Sequence, residues 1–193
     1  DVDGYVAPDL TILAEHITES GITQMAYQEE PNSIIWCVRT DGQLLGFTYQ
    51  REQQVTAWHR HIFGGSFGSG NAVCESVEVL PTDDSEYQVW VIVKRTINGV
   101  TKRYVEYLHN FAFDETDDTS FNYLDSQLAY DGSATTTISG LDHLEGEEVS
   151  ILADGSTHPN KTVSSGAITL DRSSTKVKVG LPYVSLLQTM RID

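Results

Sequence analysis

Basic residues are scarce in this chain. Lys and Arg number 12 against 28 Asp and Glu, a formal net charge of −16. Gripping a phosphate backbone needs clustered cations, so this balance excludes a phosphate-reading nucleic-acid binder and argues against docking on anionic lipid. Long apolar runs are missing too. None approaches the roughly 20 residues that a membrane-spanning helix needs, so no stable membrane insertion is expected. Cysteine is limited to Cys37 and Cys74. Two such distant thiols are too few for a structural zinc site and are expected reduced and buried. The G-x-S-x-G string Gly64-Gly65-Ser66-Phe67-Gly68 is followed by a strand pattern and not by the helix that a nucleophile elbow opens, so no elbow is read there. The chain opens Asp1-Val2-Asp3-Gly4, with no initiator Met, basic n-region or apolar h-region. It is therefore expected to be an internal piece of a longer chain without a secretory signal, and the sequon Asn160-Lys161-Thr162 is expected to be chance.

What is present is strand pattern. Hydrophobic residues make up 39% of 193 residues, enough for one large domain or two small ones. One short helix is expected first: Asp9 can cap it, Leu10, Leu13, Ala14 and Ile17 form a stripe, and Gly21 stops it. Strands follow over 22–28, 33–40, 43–50 and 55–63, with Asp41-Gly42 as a hairpin signal. A second meander covers 73–80, 87–95 and 100–108, turning at Asn98-Gly99. Residues 87–95, Y-Q-V-W-V-I-V-K-R, are apolar on both faces and predict an interior strand. Tandem antiparallel units of this kind suggest propeller blades. Residues 109–133 hold six acids and no Lys or Arg, marking a boundary or exposed loop. Beyond it, short strands at 134–139, 148–153, 167–170, 176–180 and 184–190 fit a small barrel or sandwich. The expected fold is all-β: propeller-blade-like antiparallel meanders over 1–113, an acidic connection over 114–127 and a small β-barrel domain over 128–193.

Few residue patterns suggest chemistry. Gly64 to Gly70 reads G-G-S-F-G-S-G, but a phosphate loop sits between strand and helix and needs Lys-Ser/Thr. Here a strand follows and the next lysine is Lys94, so a hairpin tip is predicted. His59 and His61 lie two apart on a strand and share a face, which could begin a metal site; no third ligand is evident, and His109 and His143 are distant in sequence. Asp114 to Asp118 offers oxygens for a cation but lacks the EF-hand order. Both cation questions stay open, and no metal ligand, cofactor site or catalytic residue is assigned. The carboxylate pairs Glu29-Glu30, Asp83-Asp84, Asp117-Asp118 and Glu147-Glu148 are adjacent, and adjacent strand residues face opposite ways. They do not make a glycosidase pair. Trp36, Tyr49, Trp58 and Trp90 fall in apolar strand patterns and are expected in the core.

Several long segments carry a family resemblance. Trp36–His61 (W-C-V-R-T-D-G-Q-L-L-G-F-T-Y-Q-R-E-Q-Q-V-T-A-W-H-R-H) resembles bacteriophage tail proteins of the nozzle type, also called tail tubular protein B. So do Lys94–Leu108, Gly140–Gly146 (G-L-D-H-L-E-G), Ala153-Asp154-Gly155, His158-Pro159 and Gly180–Tyr183. The last region is also similar to the first catalytic cysteine half-domain of ubiquitin-activating enzymes; what that implies is a small β-barrel without ubiquitin chemistry, since no cysteine follows Cys74. The resemblance runs from about Pro8 to Met190. It implies a non-enzymatic structural component of the virion tail, made in the host bacterial cytoplasm and assembled with further tail subunits in a sixfold nozzle. Portal, adaptor or tail-fibre proteins would adjoin it, and DNA would leave through its lumen. An acidic wall would let the duplex slide without sequence-specific binding. The alternative is a module of the tail that binds a host-surface glycan or receptor.

Overall fold

The computed structural model describes residues 7–12, 14–83, 86–109 and 121–187. The fold is all-β, with one short helix. The expected acidic loop Asp114–Asp118 lies outside the described residues. In chain order the elements are α1 (Glu15–Thr18), β1 (Ile22–Gln28), β2 (Ile34–Arg39), β3 (Leu44–Gln50), β4 (Val55–His61), β5 (Ser66–Phe67), β6 (Gly70–Asn71), β7 (Val73–Pro81), β8 (Tyr87–Ile97), β9 (Val100–Tyr107), β10 (Asp125–Ser139), β11 (Glu148–Ala153), β12 (Ser156–Thr162) and β13 (Ala167–Leu181). They fall into two compact units, Asp1–His61 with Cys74–Val91, and Ile62–Val73 with Ile92–Asp193. Strand β8 supplies residues to both, and it is the central strand of a sheet ordered β7-β8-β9. That is the interior position expected from its two apolar faces.

The first unit is built on the antiparallel meander β1-β2-β3-β4. Alternation places Trp36, Val38 and Leu44 on one face and Cys37, Leu45 and Phe47 on the other, and all six are buried. The helix covers part of the second face, where Ile17 packs with Cys37 and Leu45. It is shorter than the expected stripe, and Leu10 at the start of that stripe is exposed. The cause is local. Asp9 spends its carboxylate on Thr11, accepting from its amide at 2.8 Å and its hydroxyl at 2.7 Å, a turn that precedes the helix. Both cysteines are free and buried; burial raises Cys37 to about 11 and Cys74 to about 12, which keeps them as inert thiols.

Two glutamines four apart on β1 point to one face and stitch the meander to β7 and β8. Gln24 copies a backbone partner: its Nε2 donates to the Val77 carbonyl at 2.8 Å, and its Oε1 accepts from the Val77 amide at 3.2 Å. Gln28 is buried and works as a relay. It accepts from the indole N–H of buried Trp36 at 2.9 Å and donates to the Tyr87 carbonyl at 2.9 Å.

The second unit holds the sheet β10-β13-β11-β12. This sheet is open among the described residues; no pairing closes it into the expected barrel. Its core includes Ile138, Leu144, Val149, Val163, Val177 and Val179. Strand β12, with its polar sequence S-T-H-P-N-K-T, was not expected. The two expected strands at 167–170 and 176–180 are one 15-residue strand, β13. Expected strand residues 184–187 belong to no strand, and the remainder to 190 lies outside the described residues.

Removing the Gln28 amide strands a buried indole N–H and a carbonyl together. Gln28→Ala is expected to cost about 2–4 kcal/mol and the half-exposed Gln24→Ala about 1 kcal/mol. Urea unfolding of both variants checks this order; equal losses would deny Gln28 the relay.

Candidate interaction site

The glycine-rich segment forms the predicted hairpin tip. Strands β5 and β6 pair Ser66 with Asn71 and Phe67 with Gly70. Gly68 turns at φ +60°, and a Cβ there would meet open space. The root is different, because there every polar group of Gly64 is held. Its amide donates to Asp125 Oδ2 at 2.6 Å, and its carbonyl accepts from Arg95 Nε at 2.8 Å. Arg95 has no exposed surface, and its two terminal nitrogens clasp Glu106 at 2.5 and 3.0 Å. A Cβ on Gly64 would lie 2.8 Å from the Pro182 carbonyl oxygen. Gly65, at φ +87°, would place one 3.0 Å from Arg95 Cδ. Both glycines are therefore required by close approach, and Gly65 also by its backbone angle. Along the shaft, Lys94 Nζ stands 4.3 Å from the centre of the Phe67 ring.

The arrangement is a stiff root with an open tip. It is not an anion cradle. The Gly64 amide, which would have to face a phosphate, already faces a carboxylate whose pKa burial pushes up. What such a hairpin can do is present backbone and small side chains to a partner surface at a set angle.

The histidine pair sits on β4 in the first unit. His59 Nδ1 and His61 Nε2 are 2.8 Å apart and share one hydrogen bond. Trp36 packs against both rings, edge-on to His59 at 5.8 Å and tilted to His61 at 5.1 Å. Room for the His59 ring comes from Gly46, which lies between Trp36 and His59 in the ladder. A Cβ at Gly46 would fall 2.1 Å from His59 Cε1. Burial lowers the pKa of both rings, and for His61, where the neighbouring His59 adds to burial, it falls to about 4. One nitrogen of each ring is spent on the other. Among the described residues no three His, Cys, Asp or Glu side chains are grouped to hold a metal ion. His143 is engaged with the Ser126 carbonyl at 3.1 Å.

Other residues singled out in the sequence are scattered. Glu147 accepts from the Asn98 amide at 3.1 Å, while Glu148 accepts from Asn160 at 3.2 Å. Glu29 and Glu30 are exposed, and Asp84, Asp117 and Asp118 lie outside the described residues. Of the aromatics, Trp36 is in the core; Trp58 is half-buried and donates to the Leu10 carbonyl at 3.1 Å. Trp90 is half-buried, and Tyr49 lines a surface depression. No helix among the described residues is long and apolar enough to cross a membrane. No protein-family model matches the chain, and no curated protein matches it.

The Arg95 clasp sequence reasoning missed. Its one signal was a charged residue at an inward position of an otherwise apolar alternation, Val89, Val91, Val93, Arg95, Ile97. Arg95→Met leaves Glu106 and the Gly64 carbonyl without their partner. It is expected to destabilise by about 3 kcal/mol and to speed amide exchange over 66–71. Slow exchange there in a folded variant would deny the clasp its hold on the hairpin.

The histidines set a pH dependence. Above pH 6.5 the folded and unfolded chains both carry His61 neutral, and its contribution is complete. As pH falls from 6.5 toward 4 the unfolded chain binds the proton first, so stability drops. The loss from this site is expected to reach about 3 kcal/mol. Urea midpoints of wild type and His61→Leu across that window should converge as pH falls; parallel curves would contradict the assignment.

Proposed function

We propose that the chain is a structural component of a bacteriophage tail, of the nozzle or tail tubular type, acting by assembly and as part of the DNA-ejection conduit. One observation carries this reading. The segments that resemble the family, Trp36–His61 and Lys94–Leu108, span β2–β4 and the turn from β8 into β9. Their chemically conspicuous residues are engaged inside the framework: His59 with His61, and Arg95 with Glu106 and Gly64. A protein that works by presenting shape uses its charges in this way. The net charge of −16 supports the same reading, since a conduit wall that repels phosphate lets duplex pass. Its partners would be further tail subunits, with portal, adaptor or fibre proteins at the ends. The exposed tip around Gly68 is the element best placed in its own unit for such contact.

Immunogold electron microscopy of purified phage particles, with antibody raised against this chain, tests the proposal. Gold at the tail, near the head or along the tube, is the expected result. No label, with the protein also missing from the particles' mass spectrum, overturns it.

A further inference from the structure

We propose that the depression beside the β3–β4 turn is a binding site for a neutral saccharide, accepting one pyranose ring. The depression is open to solvent, measures about 290 Å³ and is lined by Ser33, Tyr49, Gln50, Arg51, Glu52 and Gln53. This volume is just under the usual range for ligand sites, the scale of one ring and not of a peptide. The inference gives a place to the glycan-binding alternative, and it stands whether or not the tail proposal holds.

One wall is aromatic, the Tyr49 ring. Trp58, Phe47 and Tyr49 form a continuous stack on one sheet face. Phe47 lies 4.5 Å from Trp58 at 30° and 5.9 Å from Tyr49 at 17°. Phe47 is buried, whereas Tyr49 is half-buried and ends the stack in the wall of the depression. Tyr27, on the same face and 55% exposed, is tied through its hydroxyl to Ser33 Oγ at 3.1 Å. An aromatic ring offers an apolar face with an electron-rich surface, which the C–H face of a pyranose matches.

The rim is polar and nearly neutral. Residues Arg51–Gln53 form a 3-10 turn, closed by the Gln54 amide on the Arg51 carbonyl at 3.2 Å, with Gln54 at φ +56°. With Gln50, Ser33 and Tyr49 this turn puts two planar amides, a guanidinium, a carboxylate and two hydroxyls around the depression. Planar groups with paired donors and acceptors suit vicinal hydroxyls. Arg51 and Glu52 offset each other at the rim, and the chain as a whole carries −16, so an anionic sugar or free phosphate gains nothing.

The test is a two-dimensional amide NMR titration of the whole chain with methyl α-D-glucopyranoside, N-acetylglucosamine and lactose. Inorganic phosphate and N-acetylneuraminic acid serve as charged probes. At least one neutral sugar is expected to shift the amides of Ser33 and of residues 49–53, with a dissociation constant on the order of 1 mM. Gln53→Ala, an exposed change that leaves the strands intact, should weaken it about tenfold. Tyr49→Ala should abolish it, with the remaining spectrum reporting whether the sheet survives. Silence of these amides with every neutral sugar, binding undiminished in Gln53→Ala, or an equal response to phosphate would each overturn the site.

Discussion

Arg95 carries a permanent charge on a residue with no solvent-exposed surface. A guanidinium cannot shed its proton to escape this, so the surroundings must supply acceptors. Glu106 on the neighbouring strand supplies two oxygens and the Gly64 backbone a third. The demand then spreads. Gly64 must come close enough to be used, which leaves no room for a side chain there or at Gly65. Its amide, turned inward by the same approach, needs an acceptor of its own, and Asp125 at the start of β10 provides it. One buried cation thereby ties β8, β9, β10 and the root of the hairpin into a single arrangement. Apolar packing alone would leave such a root free to slide, because dispersion contacts have little directional preference.

The first unit solves a related problem without charge. A sheet face that meets another sheet must satisfy whatever polar groups it brings. Trp36 brings an indole N–H, and Gln28 takes it while reaching on to the Tyr87 carbonyl. His59 and His61 bring two imidazoles, which share one hydrogen bond in the space left because Gly46 withholds a side chain. In both units, then, a glycine in a strand or turn is explained by the polar group it admits. Neutral imidazoles are the electrostatic counterpart of this packing. Burial that lowers their pKa also removes the charge that the interior would otherwise have to compensate.

Most of the strand order was legible because alternation and turn residues are local signals. Asp41-Gly42 and Asn98-Gly99 mark hairpins, and the strands around them match expectation closely. The failures come where partners distant in sequence override the local pattern. Residues 125–133, expected within a boundary or exposed loop, instead belong to β10, where Tyr130 bonds the Ser133 carbonyl at 2.7 Å. The polar run Asp171 to Thr175 looks like a break in β13, yet tertiary partners hold it extended. The Asp171 amide donates to His158 at 2.8 Å, and Arg172 to the Ala153 carbonyl at 3.0 Å. Those partners are themselves on β11 and β12, so a single-strand pattern carries no trace of them. The candidate sites were hidden for the same reason. Gly64, Arg95 and Asp125 converge from three elements, and Tyr49 reads as core until the turn after it is seen to leave its ring half-open.

An assembly role and a saccharide site impose compatible demands on this chain. Both need a surface whose shape persists, and both are served when charged side chains are paired inside each unit. At the two places proposed for contact, small, polar and aromatic groups are then prominent. At the hairpin tip that means glycine and serine, which fit against a protein surface with little steric conflict. At the β3–β4 turn it means glutamine and tyrosine, which pair planar hydrogen bonding with an apolar face. A strongly acidic chain would weaken contact with anionic partners at either place, so the near-neutral character of both surfaces would favour partners recognised by shape and hydrogen bonding over charge.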